Sequence, residues 1–302
     1  METNNIEHKG PIVSTVGDSS IIECQSCGFT HQFPLPSKEH LTKLYETELY
    51  ESERPNYFKD MEEDEAWWMD TYRNHYALVA PHVTGRRLLE IGSGPGYFLK
   101  CGQELGWDVL GVEPSEAAHR YATEDLHVPS VKGFFSSELL KNEAPFDVIY
   151  MNLVLEHIPE PGNFIRQARS LLKKDGIIFI LVPNDFNSLQ RSARTVLNLP
   201  EWWVVPMHLN YFSFDGLSHL LSSTGFSQID SLATFPMEFF LLSGDNYVGN
   251  PVLGRACHGR RKQFEENLYR EDVSTLNAWY RSLAREGLGR ECIVIGRRTE
   301  NS

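Results

Sequence analysis

Short apolar runs and amphipathic stretches take turns along the chain from about residue 80 onward. Apolar runs at 87–91, 107–112, 129–132, 146–151 and 177–182 read as strands. Between them the apolar positions recur at helical spacing. A helix is predicted from Tyr97 to Leu105, stopped by Gly106, and another after Pro114 to about Thr123. Pro161 opens a third, in which Phe164, Ile165, Ala168, Leu171 and Leu172 share one face and Gly176 follows the end. Ser213 caps a fourth, carrying Leu217, Leu220 and Leu221 and stopped by Gly225. Further strands are predicted at 227–234 and Glu291–Arg297. The alternation predicts an α/β fold on an open, mainly parallel sheet.

Upstream, residues 1–20 are polar and predict little fixed structure. Residues 21–35 carry short β-like runs with turn signals, and Ser37 is placed to cap a helix. An acidic and aromatic stretch follows, with Tyr45, Tyr50, Tyr57, Trp67, Trp68, Tyr72 and Tyr76. Trp68, Tyr72 and Tyr76 recur every four residues, which sets them on one helical face.

One stretch carries chemistry. The strand Leu88–Ile91 runs straight into Gly92-Ser93-Gly94-Pro95-Gly96, followed by Tyr97 and Phe98 at a helix start. A strand, a glycine turn and a helix N-terminus form a nucleotide cradle at the edge of an open sheet. The spacing is G-x-G-x-G rather than the dinucleotide G-x-G-x-x-G, which speaks against an NAD(P) oxidoreductase. The next strand ends in Glu113, where an acid is placed to hold ribose hydroxyls.

Leu88–Phe98 resembles motif I of the class I S-adenosylmethionine-dependent methyltransferases. Val109–Ser115 resembles their second motif, and Phe146–Pro159 the fourth-strand motif of the branch that includes the ubiquinone-biosynthesis O-methyltransferases. Leu171–Pro183 is similar to the approach to their fifth strand and the strand itself. The resemblance implies a Rossmann-like seven-stranded sheet whose last two strands form a hairpin. It also implies S-adenosylmethionine as cofactor and S-adenosylhomocysteine as product.

The same resemblance assigns expected roles. Gly92, Gly94 and Gly96 let the backbone lie against the methionyl part of the cofactor, Ser93, Tyr97 and Phe98 also bind the cofactor, and Glu90 holds its ammonium end directly or through water. Glu113 accepts both ribose hydroxyls, since an ionised carboxylate has only acceptor sites. Pro114 and Phe134 sandwich the adenine. Many relatives place a carboxylate after strand three, where this chain has Gly133-Phe134-Phe135. Asn152 and Leu153 are expected near the sulfonium.

Methyl transfer from a sulfonium is an in-line displacement with a neutral leaving group, so the protein must align the nucleophile and exclude water. A hydroxyl or carbon acid also needs a base titrating near neutrality, most often histidine. His157 follows strand four and His208 follows strand five, with Tyr211 placed to assist either. The bland alternatives are a loop-orienting His157 and a packing or capping His208.

Composition narrows the acceptor. A net charge of −13 opposes general attraction to nucleic-acid phosphate. Asn152-Leu-Val-Leu is not the Asn/Asp-Pro-Pro-aromatic motif of amino-methylating DNA enzymes. Both point to a small-molecule partner rather than nucleic acid. Oxygen is the favoured acceptor in a sugar, glycan or secondary-metabolite precursor. A sugar C-methyltransferase and a cofactor-binding protein without transfer activity are the alternatives. Residues 1–20 lack the apolar core of a secretory leader, and runs such as Ile177–Val182 are too short to span a membrane. Five cysteines, an odd number, argue against a disulfide framework and for a reducing cytoplasm.

Cys24-Gln-Ser-Cys27-Gly has the shape of a zinc knuckle. Some sugar C-methyltransferases carry an N-terminal zinc module, a further resemblance. Four ligands are needed, only His8, His31 and His40 lie nearby, and no second C-x-x-C exists. The expectation is therefore a metal-free turn, with zinc the lesser alternative. Arg260 and Arg261 offer an anion site, against the plainer reading of a solvated helix start.

The domain reading is an N-terminal extension over 1–80, a methyltransferase core over 81–235, an inserted cap over 236–288, and the final strand with a tail over 289–302. A hairpin needs only a few residues, so 236–288 is an insertion leaving the sheet at its carboxyl edge. It is expected to roof the substrate together with the aromatic N-terminal helix and the 184–210 segment.

Overall fold

Two sheets organise the computed structural model, which describes residues 8–37, 41, 57–143 and 145–300. The helix expected from Ser37, with His40, Tyr45 and Tyr50, falls largely outside these residues. The first sheet is antiparallel and small. It comprises β1 (Ile12–Val16), β2 (Ser19–Cys24) and β3 (Phe29–Phe33). Part of the 1–20 segment, expected to be weakly ordered, is thus strand. Polar composition hid it because β1 is an exposed edge whose pairing partner, β2, supplies the buried Ile21 and Ile22.

Helices α1 (Tyr57–Glu63) and α2 (Glu65–Val79) lead into the main sheet. Its strands and helices then alternate as the apolar pattern predicts: β4 (Arg87–Ile91), α3 (Tyr97–Glu104), β5 (Asp108–Glu113), α4 (Glu116–Arg120) and β6 (Ser130–Lys132). Next come β7 (Phe146–Asn152), α5 (Pro161–Leu171) and β8 (Leu172–Pro183). Leu172, expected on the helix, instead begins the strand, which runs through Gly176.

Helix α6 (Ser188–Leu197) lies in the segment the pattern left unassigned. Its signal was local: Asn187 and Gln190 form a reciprocal capping box. The short β9 (Asn210–Tyr211) then adds to the small sheet by pairing with β3. Helix α7 (Phe214–Ser223), capped by Ser213, and β10 (Phe226–Ala233) return to the main sheet. Helices α8 (Glu238–Leu242), α9 (Pro251–Glu271) and α10 (Val273–Arg285) precede the last strand, β11 (Glu291–Arg298).

The main sheet has seven strands in the order β10-β11-β8-β7-β4-β5-β6. Only β11 is antiparallel to its neighbours. This is the seven-stranded Rossmann-like sheet expected above, with a helical insertion inside the terminal hairpin. The strands are buried on both faces, as parallel strands must be. Along β7, Val148 and Tyr150 join one apolar layer while Ile149 and Met151 join the other. Each fully buried side chain of this size contributes about 1.5–3 kcal/mol.

The layer containing Val148 and Tyr150 is covered by α2, α3, α9 and α10, and the opposite layer by α5 and α7. A column of rings docks α2 on the sheet: Tyr76 stacks on Phe98 at 4.5 Å, Phe98 on Tyr150 at 3.7 Å, and Tyr150 on Phe179 at 4.9 Å. Among the described residues no helix is long and apolar enough to cross a membrane.

Candidate active site

The glycine turn after β4 sits at the carboxyl edge of the sheet, between β5 and β7. Gly92 and Ser93 donate their backbone N–H groups to the Val112 carbonyl, at 2.9 and 3.3 Å. Gly92, Gly94 and Gly96 all have positive φ, of 72°, 49° and 90°. Gly92 is doubly constrained, because a Cβ there would lie 2.6 Å from Val154 Cγ2.

Glu113 ends β5 with its carboxylate turned back onto this turn. Its Oε2 accepts from Gly94 N–H and its Oε1 from Ser115 N–H, both at 2.9 Å. Burial pushes its carboxyl up to about 7, and these two N–H donors hold it from going higher. A carboxylate has about four acceptor positions, so two remain for ribose hydroxyls. Glu90 is buried beneath the turn, and its Oε2 has no hydrogen-bond partner among the described residues. Burial, and then the nearby Glu113, raise its carboxyl well above the usual range. An ammonium group placed there supplies the partner that burial has removed. The turn and both acids therefore fit S-adenosylmethionine.

A cavity of ≈360 Å³ opens above the turn. Glu90, Gly92, Ser93, Gly94, Tyr97, Phe98, Glu113, Pro114, Phe134, Asn152 and Leu153 line it, as do His157 and His208. Gly96 does not; it packs behind the turn, where a Cβ would meet Val128. Phe134 stays 44% exposed at the rim, an unpacked apolar face suited to stacking on a base. The aromatic N-terminal helices contribute Tyr57, Met61, Trp68 and Tyr72 to the lining.

The two histidines of the lining meet each other. His157 lies in a single helical turn, Leu155–His157, after β7. Its Nδ1 is 2.9 Å from the Met207 carbonyl, which identifies Nδ1 as the protonated nitrogen and Nε2 as the basic one. That Nε2 is 3.7 Å from Glu156 Oε1. His208 Nδ1 is 3.9 Å from Asp185 Oδ2, an electrostatic rather than a hydrogen-bonded distance. Burial pushes the Asp185 carboxyl up to about 7, opposed by the Arg290 guanidinium.

Backbone ties hold the two loops together. Leu209 N–H donates to the Glu156 carbonyl at 2.8 Å, and the Asn210 side-chain Nδ2 donates to the Leu155 and Ile158 carbonyls at 3.0 and 2.8 Å.

Two expectations are corrected. Tyr211 does not line the cavity: its hydroxyl donates to the Val205 carbonyl at 3.1 Å, and its ring packs on Phe186. Its backbone pairing with β3 turns the side chain into the protein. The 236–288 insertion contributes no residue to the cavity lining, where a roof was expected. Leu276 and Tyr280 of α10 and Cys257 of α9 are buried against the sheet face instead, and their apolar stripes are consumed there. Arg260 and Arg261 are likewise engaged, by Asp245 and Glu265 respectively.

Sequence reasoning missed four charged groups. Glu156, Arg290 and Glu291 line the cavity, and Asp185 stands behind His208. Glu156 adjoins a singled-out histidine, and Arg290 and Glu291 open the last strand at the carboxyl edge. Those positions were their only signals.

A sequence profile described as a methyltransferase domain matches residues 62–231. The chain belongs to this family, and its Rossmann-like sheet is that of the class I S-adenosylmethionine-dependent methyltransferases. S-adenosylmethionine is accordingly the cofactor of this family, and the glycine turn with its two acids fits it. A ubiquinone biosynthesis O-methyltransferase of Actinobacillus pleuropneumoniae is 30% identical over 122 residues, 37% of this chain and 50% of that protein. A probable S-adenosylmethionine-dependent methyltransferase of Mycolicibacterium smegmatis is 27% identical over 177 residues, 57% of this chain and 64% of that protein. The chain thus spans about half the length of the ubiquinone-pathway relative it matches.

Among solved structures, a SAM dependent methyltransferase from Archaeoglobus fulgidus superimposes with a TM-score of 0.50 at 20% identity, covering 78% of this chain and 97% of that one. The plantazolicin methyltransferase in complex with SAH gives 0.50 at 15% identity, covering 86% and 94%. At such identities the likeness concerns the fold.

Proposed function

We propose that this chain transfers the methyl group of S-adenosylmethionine to an oxygen atom of a small-molecule acceptor, such as a hydroxyl of a sugar, glycan or secondary-metabolite precursor. The observation that carries this reading is the pair His157 and His208, each beside a buried carboxylate, at the end of the cavity past the glycine turn. When bound, the cofactor supplies an electrophilic methyl on a sulfonium, whose departure needs no acid.

The chain's own groups do the rest. Glu113 and Glu90 bind and orient, through ribose hydroxyls and the ammonium end. Pro114 and Phe134 flank the adenine, and Asn152 and Leu153 stand on the sulfonium side. Tyr57, Met61, Trp68 and Tyr72 exclude water from the acceptor. A hydroxyl must lose its proton as the new bond forms, and a histidine beside a carboxylate takes it and holds the resulting positive charge. Similarity to ubiquinone-biosynthesis O-methyltransferases supports oxygen as the acceptor. Five free cysteines suit a reducing cytoplasm as the setting.

The test has two arms. Calorimetric titration with S-adenosylhomocysteine should show binding in the wild type and a loss of about 1–3 kcal/mol in Glu113→Ala. A panel of hydroxylated small molecules incubated with donor carrying a carbon-13 methyl should then yield product whose methyl shift reports an oxygen linkage. Labelled methyl on carbon or nitrogen would reject the oxygen assignment, and no cofactor binding would reject the whole reading.

A further inference from the structure

His8, Cys24, Cys27 and His31 bring four metal-ligating atoms within 4.8 Å of one another beside the small N-terminal sheet. His8 Nδ1 lies 3.2 Å from His31 Nε2, 3.4 Å from Cys27 Sγ and 3.8 Å from Cys24 Sγ. Bond lengths of about 2.3 Å to sulfur and about 2.05 Å to nitrogen define a tetrahedron with an N–N edge of about 3.3 Å and S–N edges of about 3.6 Å. The observed separations match those edges. The C-x-x-C turn judged too poor in ligands by its sequence is thus completed by histidines from both sides.

The local chain is shaped to make this arrangement. Residues 9–11 run beside the end of β2, with Gln25 N–H donating to the Lys9 carbonyl at 3.1 Å and Glu23 N–H to the Pro11 carbonyl at 3.0 Å. Only glycine fits at position 10, because a Cβ there would sit 1.9 Å from the Glu23 carbonyl oxygen. That close approach lays His8 over the cysteine turn. The turn itself closes through Gly28 N–H to the Cys24 carbonyl at 3.0 Å. His31 Nδ1 faces the Gln32 carbonyl at 2.9 Å, so it carries the proton and leaves the Nε2 lone pair for a ligand. A carbonyl on the outer nitrogen is the usual second partner of a metal-bound histidine.

We propose that His8, Cys24, Cys27 and His31 bind one zinc-type divalent cation tetrahedrally, and that this ion braces the end of the substrate cavity. Binding releases both thiol protons to solvent, so two thiolates and two neutral imidazoles balance the dication. The brace is short. His31 pairs with Asn210 across β3 and β9, and Gln32 N–H donates to the Leu209 carbonyl at 2.8 Å. Asn210 holds the loop carrying His157, and Leu209 follows His208 directly. The metal site stands on geometry alone, whereas its bearing on catalysis rests on the histidine roles proposed above.

The experiment measures zinc in the reduced, full-length protein and replaces it with cobalt(II). One equivalent per chain is expected, with the visible bands of tetrahedral cobalt and a thiolate-to-cobalt charge-transfer band. Cys24→Ser/Cys27→Ser should lose both, and His8→Cys should keep the tetrahedral bands with a stronger charge-transfer band. Glu156, His157 and His208 also bring donor atoms together, but they offer no thiolate, so cobalt held there lacks that band.

Removing metal from the wild type with a chelator avoids variants that fail to fold. It should accelerate hydrogen exchange at amides 209–211 by about tenfold or more while S-adenosylhomocysteine affinity stays unchanged. A protein that takes up no metal after reduction, or that loses two hydrogens to a Cys24–Cys27 disulfide instead, overturns the site. Unchanged exchange at 209–211 overturns the brace alone. Neither result touches the methyl-transfer reading, which the cofactor titration tests separately.

Discussion

His157 and His208 meet edge to face, their ring centroids 5.1 Å apart and their planes inclined by 70°, although one follows β7 and the other precedes β9. Glu156 stands near both, with donor atoms of all three residues within 4.8 Å of one another, and Asp185 lies 3.9 Å from His208. The pair therefore forms a unit assembled from two loops. His157→Ala and His208→Ala should each lower kcat, the residue that takes the proton by about 10²–10⁴-fold. If they act together, the double variant should be little worse than the poorer single one. Steady-state kinetics beside S-adenosylhomocysteine titration checks this, since cofactor affinity should not change. Full kcat in both single variants would remove the histidines from the chemistry.

Cofactor affinity should depend on pH through Glu113. Its carboxyl is pushed up to about 7 by burial in the cofactor-free protein, and the ionised form is the one that accepts both ribose hydroxyls. Because the folded value lies above the ordinary one, the group is largely protonated below about 6. Affinity for S-adenosylhomocysteine should rise as pH increases through about 7 and level off above it, with a slope of at most about tenfold per unit. Glu113→Gln should bind about 1–3 kcal/mol more weakly and lose this component of the slope. An unchanged profile in the variant would assign the proton elsewhere, with Glu90 the next group to test.

Gly92→Ala meets two obstacles. The backbone φ of 72° is disfavoured for any residue with a Cβ, at about 1–2 kcal/mol. The new methyl would also sit 2.6 Å from Val154 Cγ2. We expect loss of cofactor binding with lowered thermal stability. Adding Val154→Ala should recover part of the stability by removing the clash but not the backbone cost. Full recovery in the double variant would show that the left-handed conformation is not the obstacle.

The insertion's anchoring to α2 should be energetically expensive to break. Glu265 on α9 is buried, accepts from Trp67 Nε1 at 2.7 Å and from the Tyr280 hydroxyl, and pairs with Arg261 at 3.2 Å. Removing Glu265 leaves the buried Arg261 cation without its direct partner and with Glu291 acting on it from further off, so Glu265→Ala should cost about 3–5 kcal/mol. Urea unfolding followed by near-ultraviolet dichroism measures it, and a loss below about 1 kcal/mol would mean that water enters to solvate Arg261.

The glycine turn and the acid beside it were legible in the sequence, because they are built locally. A strand, three alternating glycines and a helix start declare Gly92–Phe98, and Glu113 ends the adjacent strand. Tyr211 shows where that reasoning fails. Its position beside His208 is correct, but β3 pairs with β9 and directs the hydroxyl to Val205. The insertion fails in the same way. Its departure from the carboxyl edge of the sheet did not declare that α9 and α10 would pack on the sheet face.

The sequence by itself determined the α/β class, the seven-strand frame and the glycine turn at the sheet edge, since each follows from the period of apolar positions or from glycine's reach in φ. The tertiary structure alone decided that Glu156 and Asp185 back the two histidines, that Arg290 and Glu291 enter the cavity, and that His8 and His31 join Cys24 and Cys27. These pairings join residues that are distant in the chain or carried on different loops. No local periodicity encodes such contacts; strand order, register and close packing bring them together.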